Sequence, residues 1–233
     1  MSVTMECVLL ALTIIGQPQA IDSEEFSKSM QMQVMSATVR IANRETNTTG
    51  SGVLLSKAKV IAYVLTANHV VKGADAVEVH VFSPKSYPKP AKSFTARVIA
   101  RQGEHNQDLA LLRISDFAGE SEGLVVSPKS ESTKETRTSV LSVGCADGGP
   151  PDFRIESVHG PVLAAKADDK KTARFWRSDK AGKLGESGGP IVNARGQLIG
   201  IRSGMQRESA FFCHLDEIHA FLRKAGLSTD SKP

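Results

Sequence analysis

From about residue 30 onward, apolar and polar positions alternate in short runs rich in β-branched residues, and clusters of Gly, Pro, Asn or charged residues separate the runs. A period of two places every second side chain on one face, the pattern of half-buried antiparallel strands. Six such runs precede residue 115, at 37–41, 52–56, 61–66, 77–82, 94–101 and 109–114. Six more follow, at 139–143, 160–165, 174–177, 189–192, 198–203 and 210–213. Residues 115–138 between the sets are rich in Ser, Glu, Gly and Lys without sustained periodicity, and read as a connector. The pattern predicts an all-β chain of two six-stranded antiparallel barrels. Asn193-Ala194-Arg195-Gly196 predicts a hairpin turn, because Asn and Gly tolerate the positive φ such turns need. Only the tail reads as helix. There Leu215, Ile218 and Leu222 recur at spacings of three and four, Arg223 and Lys224 suit the negative end of the helix dipole, and Gly226 follows as a stop.

Composition narrows the function classes. The 233 residues are 40% hydrophobic and 23% charged, which excludes a disordered or collagen-like chain and permits one large domain. A formal charge of +4 with 5% aromatic residues does not supply the basic, aromatic-lined surface that nucleic-acid binding requires. Cys7, Cys145 and Cys213 form no CxxC pair and no zinc spacing, and leave open whether the last two are bonded to each other. Residues 7–16 are apolar but fall short of the roughly 18 needed to span a bilayer. Followed by Gln17-Pro18-Gln19-Ala20, they read as a secretory signal cleaved near Ala20, although no Lys or Arg precedes them. On that reading the protein is exported, periplasmic or secreted, with no stable membrane insertion once the signal is removed. Residues 21–233 then form a single domain: a first barrel over about 34–114, the connector, a second barrel over about 139–213 and a helix over about 215–225.

Three positions could carry chemistry. Gly185-Glu186-Ser187-Gly188-Gly189-Pro190 is a dense glycine cluster opening into an apolar strand. It can present a serine beside bare N–H donors, as acyl transfer needs, or it can be a tight turn with an incidental serine. A phosphate cradle fits less well, since no GK[ST] follows and the next segment is a strand rather than a helix. A serine hydroxyl needs a general base. Of six histidines, His80 alternates within a strand, His105 and His159 lie in polar stretches, and His214 and His219 flank the tail helix, whereas His69 ends the apolar run Val64-Leu65-Thr66-Ala67-Asn68 and precedes Val70-Val71. A base needs a buried carboxylate to orient it. Asp108 opens Leu109-Ala110-Leu111-Leu112, the most apolar flank of any acid in the chain, though strand-start and turn roles fit it too.

In the order His69, Asp108, Ser187, these stretches resemble the trypsin-like serine proteases of the chymotrypsin fold. Leu65-Thr66-Ala67-Asn68-His69-Val70 is similar to LTAAH or LTNNHV, Asp108-Leu109-Ala110-Leu111-Leu112 to DLALL, and residues 185–190 to GDSGGP or GNSGGP. Gly50-Ser51-Gly52-Val53-Leu54-Leu55 resembles bacterial HtrA/DegP-type members, and Leu198-Ile199-Gly200-Ile201-Arg202-Ser203 resembles the strand beside the substrate. The resemblance spans roughly residues 34–226 and implies a chymotrypsin-like pair of barrels. It also implies a serine endopeptidase that acts on protein or peptide substrates and needs no cofactor. Ser187 would be the nucleophile, His69 the base and then acid, and Asp108 its orienter, with the N–H groups of Gly185 and Ser187 as oxyanion hole. Ser203 would help fix Asp108, and Gly204 and Met205 would pair with an extended substrate. Ala181 and Ala210 would line a specificity pocket; with no acid at its base, that pocket is expected to favour small to medium apolar P1 side chains. Glu186 departs from the Asp or Asn of relatives, so an Ile21 amine freed by cleavage could pair with it. No PDZ-sized segment follows Gly226, which separates the chain from typical HtrA proteins. The alternative is a catalytically silent peptide-binding or scaffold protein on the same fold.

Overall fold

The computed structural model describes residues 26–55, 60–102, 107–128, 136–164 and 172–227; the expected signal segment, Cys7, Ile21 and His105 lie outside them. A helix, α1 (Lys28–Ala37), leads into β1 (Thr38–Asn43), β2 (Thr48–Leu54), β3 (Ala62–Ala67), β4 (Ala76–Val81), β5 (Lys92–Gln102) and β6 (Leu109–Ile114). These six strands close one barrel in the order β1-β2-β3-β6-β5-β4, each neighbour antiparallel. The second set is β7 (Thr136–Gly144), β8 (Asp152–Ala164), β9 (Ala173–Ser178), β10 (Pro190–Val192), β11 (Leu198–Gln206) and β12 (Ser209–His214), followed by helix α2 (Leu215–Lys224). It closes as β10-β11-β12-β9-β8-β7, again antiparallel. Closure satisfies both edges of each sheet. Among the described residues no helix is long and apolar enough to cross a membrane.

The apolar runs fall where they do because the barrels also pack on one another. In β6, Ala110, Leu112 and Ile114 fill the first barrel with Val39, Ile41 and Val79. Leu109 and Leu111, on the opposite face of the same strand, join a layer shared with Leu141, Val143, Ile201 and the α2 residues Ile218 and Phe221. A strand buried on both faces reads as an unbroken apolar run. The hairpin between β10 and β11 is closed by Gly196 N–H donating to the Asn193 carbonyl at 2.9 Å, with Gly196 at φ +72. In α2, His214 Nδ1 accepts from the Asp216 N–H at 3.2 Å, and Gly226 ends the helix at φ +77.

Three features differ from the sequence expectation. The tail is not the sole helix: α1 occupies a stretch where Met30, Met32 and Val34 alternate with Gln31 and Gln33 like a strand. Ser27 Oγ accepts from the Met30 N–H, and Met30, Val34 and Ala37, spaced four and three apart, turn toward the shared core. β8 begins eight residues before its expected run, at Asp152 instead of 160, because its core-facing positions include a carboxylate, Glu156, that breaks the apolar alternation. The connector ends before its expected bound at 138, because β7 begins at Thr136, and its described part is tied to both barrels. Leu124 bridges to Leu55 in the first barrel, and Val126 to Leu198 in the second.

Candidate active site

Pairing of β3 with β6 sets Ala67 opposite Leu109, so the residues just beyond, His69 and Asp108, meet. Asp108 takes a left-handed backbone, φ +51, which Asp tolerates better than most residues, and its carbonyl accepts from the Asn68 N–H at 2.9 Å. Its carboxylate lies 2.7 Å from His69 Nδ1 through Oδ2 and accepts from the His69 backbone N–H at 3.0 Å through Oδ1. A third hydrogen bond comes from the other barrel, where Ser203 Oγ donates to Oδ2 at 2.7 Å. Ser203 sits at a break in the β11–β12 register between Arg202 and Gly204, an irregularity that re-aims a side chain. The His69 side chain is 44% exposed and that of Asp108 only 2%, so the imidazole meets solvent while the group that orients it does not.

Ser187 stands on the loop between β9 and β10, and it lines the same cleft of about 230 Å3 as His69, Gly185, Arg202, Gly204 and Met205. Gly188 has φ +87, and a Cβ there would lie 2.1 Å from the Ser51 carbonyl oxygen, so only glycine fits. Ser51 ties this loop to the first barrel. Its N–H donates to the Ser187 carbonyl at 2.7 Å, and its hydroxyl donates to the Gly185 carbonyl at 2.7 Å while accepting from the Cys145 N–H at 2.8 Å. The Leu184 carbonyl accepts from the Asp147 N–H at 2.7 Å, and the Glu186 carbonyl from the Gly189 N–H at 3.0 Å. In a trans peptide the N–H points opposite its carbonyl, so both bonds turn the next amides, those of Gly185 and Ser187, the other way. Neither amide donates to a group among the described residues.

Beneath the loop lies a buried ionic cluster. Glu186 Oε2 receives Arg154 Nη2 at 2.7 Å and the Lys183 N–H at 2.8 Å, with Arg202 Nη1 at 3.7 Å. Arg202 Nη2 donates to Glu156 Oε1 at 3.0 Å and to Ser142 Oγ at 3.1 Å, and its guanidinium lies over the Phe212 ring at 4.4 Å. Ser178 Oγ donates to the other Glu156 oxygen. Burial pushes Arg202 below the usual arginine range, while Glu156 and Glu186 pull it back up. Arg154, from within the fold, thus pairs with Glu186, the carboxylate with which an Ile21 amine could have paired; Ile21 itself lies outside the described residues.

Of the residues singled out in the sequence, His69, Asp108, Ser187, Gly185, Ser203, Gly204 and Met205 are brought together. Ala181 and Ala210 are not. Neither lines the cleft: Ala181 is exposed on the protein surface, and Ala210 packs inside the second barrel with Trp176 and Phe212. Sequence reasoning missed Ser51, Arg154, Glu156 and Arg202, which act through partners far along the chain. The one available signal was the charge of Arg202 directly after the apolar run Leu198-Ile199-Gly200-Ile201. Cys145 and Cys213 are both free and buried, and burial raises both thiols, Cys145 to about 12. His80 lies 2.8 Å from Ser93 Oγ, and His219 Nε2 lies 2.8 Å from the Ser127 carbonyl, both in structural settings. Among the described residues no group of His, Cys, Asp and Glu is arranged to hold a metal.

The chain is similar to known proteins. A DegP-like probable periplasmic serine endoprotease of Hahella chejuensis is 31% identical over 175 residues, covering 72% of this chain and 32% of that protein. The HtrA serine protease of Bacillus subtilis is 28% identical over 66% of this chain and 33% of its own. The chain therefore spans about a third of the length of these relatives. Among solved structures, the active form of the Rv3671c protease from M. tuberculosis superposes with a TM-score of 0.70 at 21% identity, over 89% of this chain and 88% of that one. Its inactive form gives the same TM-score over 88% of this chain and 96% of that one, a likeness of fold. The model of the trypsin-like peptidase domain matches residues 50–201, which include His69, Asp108 and Ser187, and with that match this chain belongs to the trypsin-like peptidase family.

Proposed function

We propose that the chain is a serine endopeptidase that hydrolyses peptide bonds through an acyl-enzyme on Ser187. The observation that carries this reading is the shielded Asp108 carboxylate, held by His69 and Ser203 behind an imidazole that opens on the same cleft as Ser187. Ser187 Oγ attacks the scissile carbonyl carbon as His69 Nε2 takes its proton. Asp108 keeps the other imidazole proton on Nδ1 and stabilises the imidazolium. The N–H groups of Gly185 and Ser187 meet the oxyanion, already oriented before substrate arrives, so no reorganisation is needed during the reaction. Collapse of the tetrahedral intermediate releases the amine, which takes the proton from His69. Water then repeats the cycle on the ester and frees the acid.

The substrate is a protein or peptide. β10 covers β11 only as far as Ile201, so the edge at Gly204 and Met205 is left for an extended chain to pair with. Export is supported by the apolar segment at 7–16 and by relatives named as periplasmic. The expected preference for small to medium apolar P1 side chains assumed an uncharged pocket lined by Ala181 and Ala210; Arg202 replaces that premise.

Steady-state digestion of an unfolded protein, with the new termini read by mass spectrometry, tests the proposal. Internal cleavage at a rate proportional to enzyme is expected. Binding of the same protein without cleavage would favour the silent scaffold instead. A related prediction concerns Arg154. Substituting it with Met strips Glu186 of its nearest cation and loosens the loop that aims the Gly185 N–H, so kcat/KM should fall roughly ten- to a hundredfold, given the penalty for a buried charge that loses a partner. Extra residues ahead of Ile21 should leave the rate unchanged, because no N-terminal amine is required.

A further inference from the structure

The cleft beside Ser187 ends on a buried cation. Arg202 is 4% exposed, yet it lines this cleft together with Gly182 and Gly204. Its Nη2 is used by Glu156 and Ser142, but Nη1 donates no hydrogen bond among the described residues; Glu186 Oε2 stands 3.7 Å away and is already engaged by Arg154 and Lys183. Nη1 is itself buried, and the residue packed against it on the cleft wall has no side chain. Residue 182 is glycine, and a Cβ there would lie 2.7 Å from Nη1. None of the residues that line the cleft is acidic, and Lys183 adds a second cation at its rim.

Resting on the endopeptidase reading above, we infer that Arg202 sets the specificity of the enzyme, selecting substrates whose P1 side chain is a carboxylate, Glu or Asp. A carboxylate entering past Gly182 gives Nη1 the acceptor it lacks, in a charge-assisted hydrogen bond stronger than a neutral one. An apolar P1 side chain brings that buried donor no acceptor, and sites built to hydrogen-bond a substrate group reject analogues that lack it. Lys or Arg at P1 would face a like charge. Glu156 is what allows a guanidinium to be buried here at all: it sits fully buried at a core position of β8 and neutralises Arg202 from the side away from the cleft. Arg202 is thus a specificity residue braced by Glu156, as distinct from the residues that carry the reaction.

The test is a peptide library with fixed flanks and P1 varied, cleaved by the wild-type protein. The expected result is kcat/KM for Glu or Asp roughly ten- to a hundredfold above Val, Ala and the isosteric Gln. The paired substitution Arg202→Met with Glu156→Gln removes both charges at nearly constant volume, and within that variant the ratio of acidic to apolar cleavage should invert. The ratio is internal to each protein, so it does not depend on how much of the variant folds; should the variant yield no folded protein, the wild-type comparison of Glu with Gln decides alone. Wild-type cleavage that is equal or faster after Val, Ala or Gln overturns the assignment of Arg202 and leaves the peptidase reading standing. No cleavage after any residue, with Ser187 unreactive toward a fluorophosphonate, overturns both.

Discussion

Ser187→Ala is expected to abolish turnover, lowering kcat on the order of 10^6-fold with KM for a peptide substrate nearly unchanged. The substitution deletes one oxygen and nothing else the fold depends on. The Ser187 carbonyl still accepts from Ser51, Gly188 still holds the turn at positive φ, and the Gly185 and Ser187 amides keep their orientation. The peptide therefore still binds along β11, and only the bond-forming atom is missing. Initial rates on a fluorogenic peptide at saturating and subsaturating concentration separate the two constants. A variant retaining a tenth of the wild-type kcat would place the nucleophile elsewhere.

Asp108→Asn should cost roughly 10^4-fold in kcat while leaving the fold in place. Asn is as tolerant of the left-handed backbone at φ +51 as Asp, and is nearly identical in shape. What changes is the direction of one hydrogen bond. A carboxylate can only accept, from His69 Nδ1, from the His69 N–H and from Ser203 Oγ. A carboxamide that keeps its oxygen on the His69 backbone N–H turns its NH2 toward Nδ1, which then must carry the lone pair, so Nε2 holds the proton and cannot take one from Ser187. The imidazolium also loses its counter-charge. Thermal melting within a few degrees of wild type, together with the lost rate, identifies a defect of chemistry; a rate within tenfold of wild type would remove Asp108 from the mechanism.

The barrels were legible in the sequence because each strand has at least one face in an apolar interior, and the period of two survives wherever that face is made only of apolar residues. It failed at β8, where Glu156 occupies a core position whose partner, Arg202, is 46 residues away. It misled at α1, where alternating Met and Gln imitate a strand. The triad was legible because each member is marked locally: His69 by the apolar run it ends, Asp108 by the run it opens, Ser187 by its glycines. Cleft walls carry no such mark. Ala181 and Ala210 were placed by counting from Ser187 and by likeness, and the fold puts one on the surface and the other in the barrel, while Arg202 reaches the cleft from the strand expected beside the substrate, at a position given no role there.

A fluorophosphonate probe followed by mapping of the adduct measures the convergence of Ser187, His69 and Asp108 most directly, because only a serine whose proton is being removed reacts quickly with it. The account predicts one adduct per chain on Ser187 in the wild type, formed far more slowly after His69→Ala. An adduct on another serine, or a wild type no more reactive than its His69→Ala variant, would contradict it.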